Sequence, residues 1–218
     1  MTFSALSVTE LISRFSDGTP TPGGGSAAAL ASATGAALVA MVARVTAKGK
    51  KFADRAEEME KIASQADELS ARLLQLVTED SASYDAVSAA FRLPKDTDEE
   101  KASRSEAIQS AMKVAAFTPM MTLEASLSAL ALATEVVERG NPNCITDAVM
   151  AALMCETGMQ GASMNIAINL GSIKDGEFNA NAEITMSRAR SEAKALLTRV
   201  NAVHQIDRCF CDRSEESK

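Results

Sequence analysis

Apolar residues recur at intervals of three and four along most of this chain, and the alternation typical of β-strands is nearly absent. The spacing predicts helices over residues 8–15, 27–46, 53–92, 105–139, 146–170 and 179–211. The pattern therefore predicts an all-α fold, a single-domain bundle of about six to eight helices over residues 1–218. Residues 212–218 are expected to form a disordered polar tail.

Residues that disfavour helix separate these segments. Gly140 is a typical helix stop, and Pro119 lies inside a helical pattern, where its ring predicts a kink or a break. The helix that ends near residue 170 carries only two charges, Asp147 and Glu156, so it is expected to be central in the bundle.

The loop of residues 17–26 precedes the alanine-rich helix and holds four of the eleven glycines and two of the five prolines. Consecutive glycines allow close approach of a ligand, and the following helix N-terminus offers free N–H donors. The spacing matches neither a phosphate-binding P-loop nor a dinucleotide fingerprint. The loop is therefore either a ligand-binding turn or a flexible connector.

A carboxylate interrupts the apolar stripe of the long helix. The stripe continues through Leu73 and Leu76 to Asp80, and then to Tyr84. An ionised carboxylate on a core-facing stripe needs a partner or a raised pKa. Asp80 is therefore either a functional group or a core carboxylate paired with a neighbouring cation, unless the stripe rotates outward.

Other polar residues also have two interpretations. Asn165 and Asn169 share one helix face, where they make either interhelical hydrogen bonds or ligand contacts. Asp147 lies near a helix start, where a carboxylate often serves as a cap. Lys48, Lys50 and Lys51 form a basic cluster that either is a solvated face or holds a polyanionic tail.

Composition narrows the function classes. The net charge is −7 and the pI is about 4.9, without a basic tract, so nucleic-acid binding is disfavoured. Residues 27–45 are apolar mainly through alanine, which indicates a buried helix and not a membrane span. The amino terminus lacks the pattern of a signal peptide, so a cytoplasmic location is expected.

Metal and thiol chemistry are also disfavoured. Cys144 and Cys155 are expected to be buried thiols, while the spacing of Cys209 and Cys211 matches no zinc motif. His204 is the single histidine, which argues against a serine-histidine-aspartate triad and a histidine-rich metal site. A metal-free site built from Lys, Asp and amides is the expectation that remains.

Taken in order, the motifs resemble the cyclodeaminase/cyclohydrolase family of folate enzymes over roughly residues 7–200. The resemblance rests on residues 20–29 (Pro-Thr-Pro-Gly-Gly-Gly-Ser-Ala-Ala-Ala), 45–46 (Val-Thr), 49–52 (Gly-Lys-Lys-Phe), 93–95 (Leu-Pro-Lys), 140–141 (Gly-Asn), 146–148 (Thr-Asp-Ala) and 165–166 (Asn-Ile), with Asp80, Ser83, Tyr84, Thr97, Glu99, Glu100 and Arg104. The family commonly has Gly-Lys-Lys-Lys-Tyr where residues 48–52 read Lys-Gly-Lys-Lys-Phe, so here the glycine is displaced and the aromatic hydroxyl is absent.

The resemblance implies an all-helical, typically dimeric enzyme whose folate cleft includes the glycine-rich loop. It implies hydrolysis of 5,10-methenyltetrahydrofolate to 10-formyltetrahydrofolate, with the folate as substrate and no further cofactor or metal. The alternative is a 5-formimidoyltetrahydrofolate cyclodeaminase that releases ammonia. A second alternative is a folate-binding or scaffold subunit without catalysis. Homodimerisation is expected, whereas nucleic-acid and membrane partners are not.

The resemblance also assigns roles to individual residues. Asp80 and Asp147 are expected to contact the substrate cation and the pterin, and Lys51, with Lys50 as second choice, is expected to transfer a proton. Lys48 and Lys95 are expected to hold the glutamate tail. The remaining substrate-binding residues are expected to be Pro22, Gly23, Gly24, Gly25, Ser26, Tyr84, Asn141, Asn165 and Asn169.

Overall fold

The computed structural model describes residues 3–204, which form one all-α domain. Its six α-helices are α1 (Val8–Ser16), α2 (Gly24–Ala47), α3 (Ala56–Phe91), α4 (Asp98–Arg139), α5 (Ile145–Leu170) and α6 (Gly176–His204). Short 3₁₀ turns at Phe3–Ala5, Lys50–Arg55 and Pro142–Cys144 precede α1, α3 and α5. The all-α prediction is confirmed. The predicted tail and the pair Cys209 and Cys211 lie outside the described residues.

Side-chain caps determine where two of the helices begin. Ser7 accepts a hydrogen bond from the backbone N–H of Glu10, whose carboxylate accepts one from the Ser7 N–H. Thr97 and Glu100 form the same reciprocal pair at the start of α4. Such capping boxes satisfy N–H groups that have no partner within the helix.

The alanine-rich helix α2 lies against α3, α4 and α5. Gly35 lies opposite Cys155, and Gly158 lies opposite Ser32, so the backbones of α2 and α5 approach closely in antiparallel order. By length and composition α2 and α4 are apolar enough to cross a membrane, but 61% and 56% of their most apolar windows are buried inside the fold. The helix predicted over residues 27–45 is present, and the side of it that faces α3, α4 and α5 is buried.

Of the kink or break predicted at Pro119, the break is wrong, because α4 runs through this residue as one helix. Pro119 has no N–H, so it cannot donate to the carbonyl oxygen of Ala115, four residues earlier. Asn169 of α5 takes that place, since its Nδ2 donates to the Ala115 oxygen at 2.8 Å. A side chain from a neighbouring helix therefore replaces the missing backbone hydrogen bond.

The expectation that α5 is central holds for one side of this helix only. Its inner side packs on α2 and α4, whereas Met150, Met164 and Ile168 are 51%, 68% and 75% exposed. The paucity of charge in α5 therefore does not reflect burial all round. Cys144 is only half-buried, contrary to expectation, while Cys155 is buried and its pKa is raised by burial to about 12.

Candidate active site

A cavity of about 240 Å³ lies where the N-terminus of α2 meets α3, α4 and the C-terminal part of α5. We call it the Asp80 cavity. Its lining residues are Pro20, Thr21, Gly23, Gly24, Gly25, Asp80, Ser83, Tyr84, Val87, Met112, Ala115, Asn165 and Asn169. Four separate segments of the chain therefore contribute to one concave site that contains a carboxylate, amides and a glycine-rich loop.

Asp80 is held at the first turn of α2. The Ser26 Oγ lies 2.9 Å from the Asp80 Oδ2, and 3.0 Å from the carbonyl oxygen of Val77. Burial raises the pKa of Asp80, and hydrogen bonds from the Ser26 side chain and backbone N–H oppose part of this rise. The positive end of the α2 dipole also favours a carboxylate at this position. Asp80 is thus a fixed carboxyl group whose pKa lies above its ordinary value.

Gly25 leaves the space that the carboxyl group occupies. A Cβ at this position would lie 2.7 Å from the Asp80 Cγ and 2.8 Å from its Oδ2, closer than real Cβ atoms approach. A Cβ at Gly24 would instead meet the Asn165 Nδ2 at 3.9 Å, which is ordinary contact. The glycine run is therefore required at Gly25 for packing against Asp80, which argues against a merely flexible connector.

Asn165 and Asn169 both line the cavity, and the side-chain nitrogen of each donates a hydrogen bond to a backbone carbonyl oxygen. Asn165 Nδ2 donates to the carbonyl oxygen of Gly161 at 2.9 Å, within α5, and Asn169 Nδ2 bonds the Ala115 oxygen freed by Pro119. The two interpretations from sequence thus coincide for Asn169, which bonds another helix and borders the cavity. A contact of either residue with a ligand stays a prediction.

Beyond Asp80 the α3 stripe rotates away from the core. Tyr84 and Phe91 are each 48% exposed, and Tyr84 borders the cavity at its outer side. Sequence reasoning missed Met112 and Ala115, since nothing in the pattern indicates which part of α4 approaches α2. Val87 also lines the cavity, and its position on the α3 stripe, seven residues after Asp80, is the signal that could have assigned it there.

Residues 49–52, which we call the lysine loop, line a separate cavity of about 420 Å³. We call it the lysine cavity. Its lining residues are Gly49, Lys50, Lys51, Phe52, Asn141, Pro142 and Asn143. The backbone N–H of Asn141 donates to the Thr46 Oγ1 at 2.9 Å, which ties this turn to the end of α2. Lys50 and Lys51 are exposed, as is Lys48 at the end of α2.

The two cavities lie at opposite ends of α2. This helix has 24 residues, which corresponds to a length of about 36 Å at about 1.5 Å per residue. Asp147 lies in the first turn of α5, about 27 Å along that helix from Asn165. Within one chain, Asp80 is therefore far from both Lys51 and Asp147, although the sequence suggested one site.

Three further predicted residues can be placed. Pro22 is buried beside the glycine run, and Ser26 is buried beneath Asp80. Lys95 is exposed in the connection between α3 and α4 and lines neither cavity. The roles assigned to these residues stay predictions. Within residues 3–204, no group of three His, Cys, Asp or Glu side chains is arranged to hold a metal ion.

A larger cavity, about 540 Å³, lies where α5 and α6 meet α4. Glu156, Arg190 and Lys194 line it together with apolar residues. None of the residues that the sequence indicated as functional borders this groove. A large volume by itself does not indicate a catalytic role. The Asp80 cavity therefore remains the candidate active site.

Comparison with known proteins agrees with this architecture. Residues 7–188 match the family model described as formiminotransferase-cyclodeaminase. The chain belongs to this family. A methenyltetrahydrofolate cyclohydrolase from Methylorubrum extorquens is 36% identical over 195 residues, covering 88% of this chain and 94% of that protein.

Some relatives in this family are longer than this chain. The formimidoyltransferase-cyclodeaminase of Sus scrofa is 35% identical over 173 residues, and the match covers 79% of this chain but only 32% of that protein. Among solved structures, a formiminotetrahydrofolate cyclodeaminase from Thermotoga maritima matches with a TM-score of 0.84 and 28% identity, covering 92% of this chain and 96% of the other. The fold and family expected from the sequence are confirmed.

Proposed function

We propose that this chain hydrolyses 5,10-methenyltetrahydrofolate to 10-formyltetrahydrofolate. The near full-length similarity to a methenyltetrahydrofolate cyclohydrolase supports this substrate and reaction. The observation that carries the proposal is the half-buried Asp80 carboxyl group at the wall of a concave cavity. The methenyl substrate is a cation, so a carboxylate held beside it would attract it and stabilise its charge.

The chemistry required is addition of water to the methenyl carbon, loss of a proton from that water, and cleavage of the bond from this carbon to N5. The products are 10-formyltetrahydrofolate and one proton. A carboxyl group with a raised pKa is a suitable base for the water, because its basicity is then closer to neutral pH. In this proposal Asp80 takes this proton, while the cavity walls orient the substrate.

The proposal is tested by mixing the purified protein with 5,10-methenyltetrahydrofolate and following the loss of substrate absorbance against a blank without enzyme. We expect decay well above the blank and accumulation of 10-formyltetrahydrofolate. A parallel reaction contains 5-formimidoyltetrahydrofolate with an ammonia readout, and we expect no ammonia there. Absence of turnover in both reactions would contradict the proposal and favour a binding or scaffold role.

Cyclodeaminase activity is the second candidate function. The similarity to the cyclodeaminase structure from Thermotoga maritima favours it, because that chain and this one match over nearly their whole lengths. The same cavity would then bind 5-formimidoyltetrahydrofolate and eliminate ammonia during ring closure. Ammonia release together with methenyltetrahydrofolate accumulation would support this candidate over hydrolysis.

We also propose that the protein is a homodimer. Two helical stripes, each with alternating steps of four and three residues, lie on neighbouring helices, are partly exposed and contain no charged residue. Leu38 and Met41 also pack against the core, and Gly161 lies against Ala28. We call them the outer face, which comprises Ala27, Ala31, Thr34, Leu38, Met41 and Val45 of α2 and Met150, Met154, Thr157, Gly161, Met164 and Ile168 of α5. A second copy suits this surface because an uncharged face can pack on itself without burying like charges.

Thr157→Arg tests the dimer, since Thr157 is exposed in the middle of the outer face and far from both cavities. We expect this variant to be monomeric by light scattering, because pairing would bury arginine without a partner. The matched control is Thr198→Arg on α6. Both threonines are exposed and donate to the carbonyl four residues earlier, at 2.9 and 2.8 Å. Equal masses for the two variants would contradict the proposed interface.

The cytoplasmic location and the absence of a cofactor, a nucleic-acid partner and a membrane partner also remain proposals. They are supported by the acidic composition and by the motif content of the sequence. The hydrolysis written above balances with water alone and uses no redox step.

A further inference from the structure

We propose that Pro119 is a positioning residue for substrate binding, which turns the side chain of Asn169 so that its Oδ1 faces the substrate. Pro119 is buried in α4 and is not among the residues that line the Asp80 cavity, so it acts through Asn169, which does line it. The inference rests on the proposed function, because that function assigns a folate to this cavity.

The first step is the hydrogen bond that Pro119 removes from α4. In an α-helix the N–H of residue 119 would donate to the carbonyl oxygen of Ala115, but proline has no N–H and its ring crowds that carbonyl group. The oxygen instead accepts from the Asn169 Nδ2 at 2.8 Å. An alanine at position 119 would supply the backbone donor and draw the Ala115 carbonyl group toward the axis of α4, away from Asn169.

Asn165 shows how an amide on α5 behaves without such a partner. Its Nδ2 donates to the carbonyl oxygen of Gly161, four residues earlier in the same helix, at 2.9 Å. Asn169 has the same option through the carbonyl group of Asn165, yet its Nδ2 reaches across to α4. The acceptor left free by Pro119 therefore decides the direction of the Asn169 side chain, whereas the direction of Asn165 does not depend on α4.

The bond to Ala115 also fixes which end of the Asn169 amide is available to a ligand. A backbone carbonyl oxygen only accepts, so the amide nitrogen must face it and the amide oxygen must point elsewhere. Among residues 3–204 no group donates to the Asn169 Oδ1, and the buried side-chain polar atoms that lack a partner there belong to Arg55, Thr78 and Asn179. Since Asn169 is half-buried and lines the cavity, its Oδ1 is an accessible acceptor at the cavity wall.

A fixed acceptor at this wall suits the proposed substrate. The reduced pterin ring of a tetrahydrofolate carries N–H donors at N3, N8 and the 2-amino group. The residues that α4 contributes to the cavity, Met112 and Ala115, have no polar side chain. A pterin N–H placed there without an acceptor would lose its hydrogen bond to water, so the Asn169 Oδ1 favours binding. This contact is made equally before and during the reaction, so it affects KM and not kcat.

A double-mutant cycle between Pro119 and Asn169 is the main test. It is read as the dissociation constant of tetrahydrofolate by calorimetry, and as KM and kcat of the hydrolysis. We expect Pro119→Ala to weaken tetrahydrofolate binding and raise KM by about tenfold, with kcat within about twofold of wild type. Asn169→Ala is expected to weaken binding at least as much. In the Asn169→Ala background, Pro119→Ala should have no further effect, because the residue through which it acts is gone.

Asn165→Ala provides the matched background, since its amide is bonded within α5 and not to α4. There Pro119→Ala should still weaken binding by about tenfold. The same loss from Pro119→Ala with and without Asn169 would show a general structural role for the proline and would overturn the inference. Unchanged binding in Pro119→Ala, or no tetrahydrofolate binding by the wild-type protein, would overturn it as well.

Asn169→Asp tests the orientation of the amide even if Pro119→Ala does not fold. As a carboxylate, this side chain would place an oxygen against the Ala115 oxygen, whereas the protonated form can donate to it and present its other oxygen to the cavity. We expect tetrahydrofolate binding, relative to wild type at the same pH, to strengthen as pH falls from about 8 to about 5. The wild-type reference carries the titration of Asp80, the carboxyl group that also lines the cavity. A ratio that does not change with pH would contradict the inference.

The outcomes separate this inference from the proposed function. Tetrahydrofolate has the pterin ring but no methenyl group to hydrolyse, so its binding is measured whether or not the protein has turnover. If the cycle behaves as expected but 5,10-methenyltetrahydrofolate is not hydrolysed, the proposed function fails while the role of Pro119 stands. If hydrolysis proceeds and the effects of the two substitutions simply add, the inference alone fails.

Discussion

Replacing Asp80 by asparagine is expected to lower turnover of 5,10-methenyltetrahydrofolate by about 100-fold or more, because the amide neither takes a proton from water nor neutralises the substrate cation. The amide keeps an acceptor oxygen for Ser26, whose hydroxyl lies 2.9 Å from the present carboxylate, so the local packing is retained. Turnover is measured by the loss of substrate absorbance under saturating conditions.

The same variant is expected to be more stable than wild type at neutral pH. Burial raises the pKa of Asp80 in the folded state, so ionisation of this group opposes folding. The wild-type protein therefore loses stability as pH rises through the folded-state pKa of Asp80, while the asparagine variant does not. Urea unfolding at a series of pH values should show the difference closing as pH falls and the carboxyl group becomes protonated.

Glu79→Gln is the matched control for Asp80→Asn. Glu79 is the preceding residue on α3, and its exposed carboxylate pairs with Arg72. We expect turnover close to that of wild type in this variant. Turnover of Asp80→Asn within about threefold of wild type would contradict a direct role for Asp80 in the reaction.

Gly25→Ala is expected to lower turnover by about 100-fold while leaving the helical fold intact. The new Cβ would lie 2.7 Å from the Asp80 Cγ, so the carboxyl group must leave its place beside Ser26. Alanine is favourable within a helix, and the obstructed atoms belong to the end of a short side chain, so displacement of the carboxyl group is easier than unfolding. Circular dichroism and the absorbance assay measure the two effects.

Gly24→Ala separates this steric effect from a general requirement for glycine. Its Cβ would lie 3.9 Å from the Asn165 Nδ2, which is ordinary contact. We expect turnover within a few-fold of wild type. Equal losses in Gly24→Ala and Gly25→Ala would show that backbone flexibility, and not the fit of Asp80, is what the reaction requires.

Much of the fold followed from local pattern. The three-and-four spacing located the six helices because an apolar stripe depends on neighbouring residues. It placed the start of α4 near residue 105, whereas the helix begins at Asp98, after the Thr97 cap. Pro119 misled this reasoning, since the group that replaces its missing hydrogen bond comes from Asn169, 50 positions later. Local rules therefore failed where a distant residue compensates for a local defect.

In the candidate site, too, local pattern predicted some features, while others depend on contacts between distant residues. The stripe in α3 identified Asp80 as unusual, but the choice between a functional and a structural carboxyl group needed its surroundings. Among the described residues, the side chain that donates a hydrogen bond to the Asp80 carboxyl group is that of Ser26, 54 positions away, and not a lysine or arginine. The expected proximity of Asp80 to Lys51 and Asp147 could not be checked from spacing, because it depends on the direction in which helices pack.

By itself, the sequence determined an all-α chain with its family motifs, an unusual carboxylate and a glycine loop that opens an alanine-rich helix. Only the tertiary structure decided that Asp80 and Lys51 lie at opposite ends of α2. The reason is that helix boundaries arise from interactions within a few residues, whereas the antiparallel packing of α2 on α5 depends on close contacts between distant small residues, such as Gly158 against Ser32.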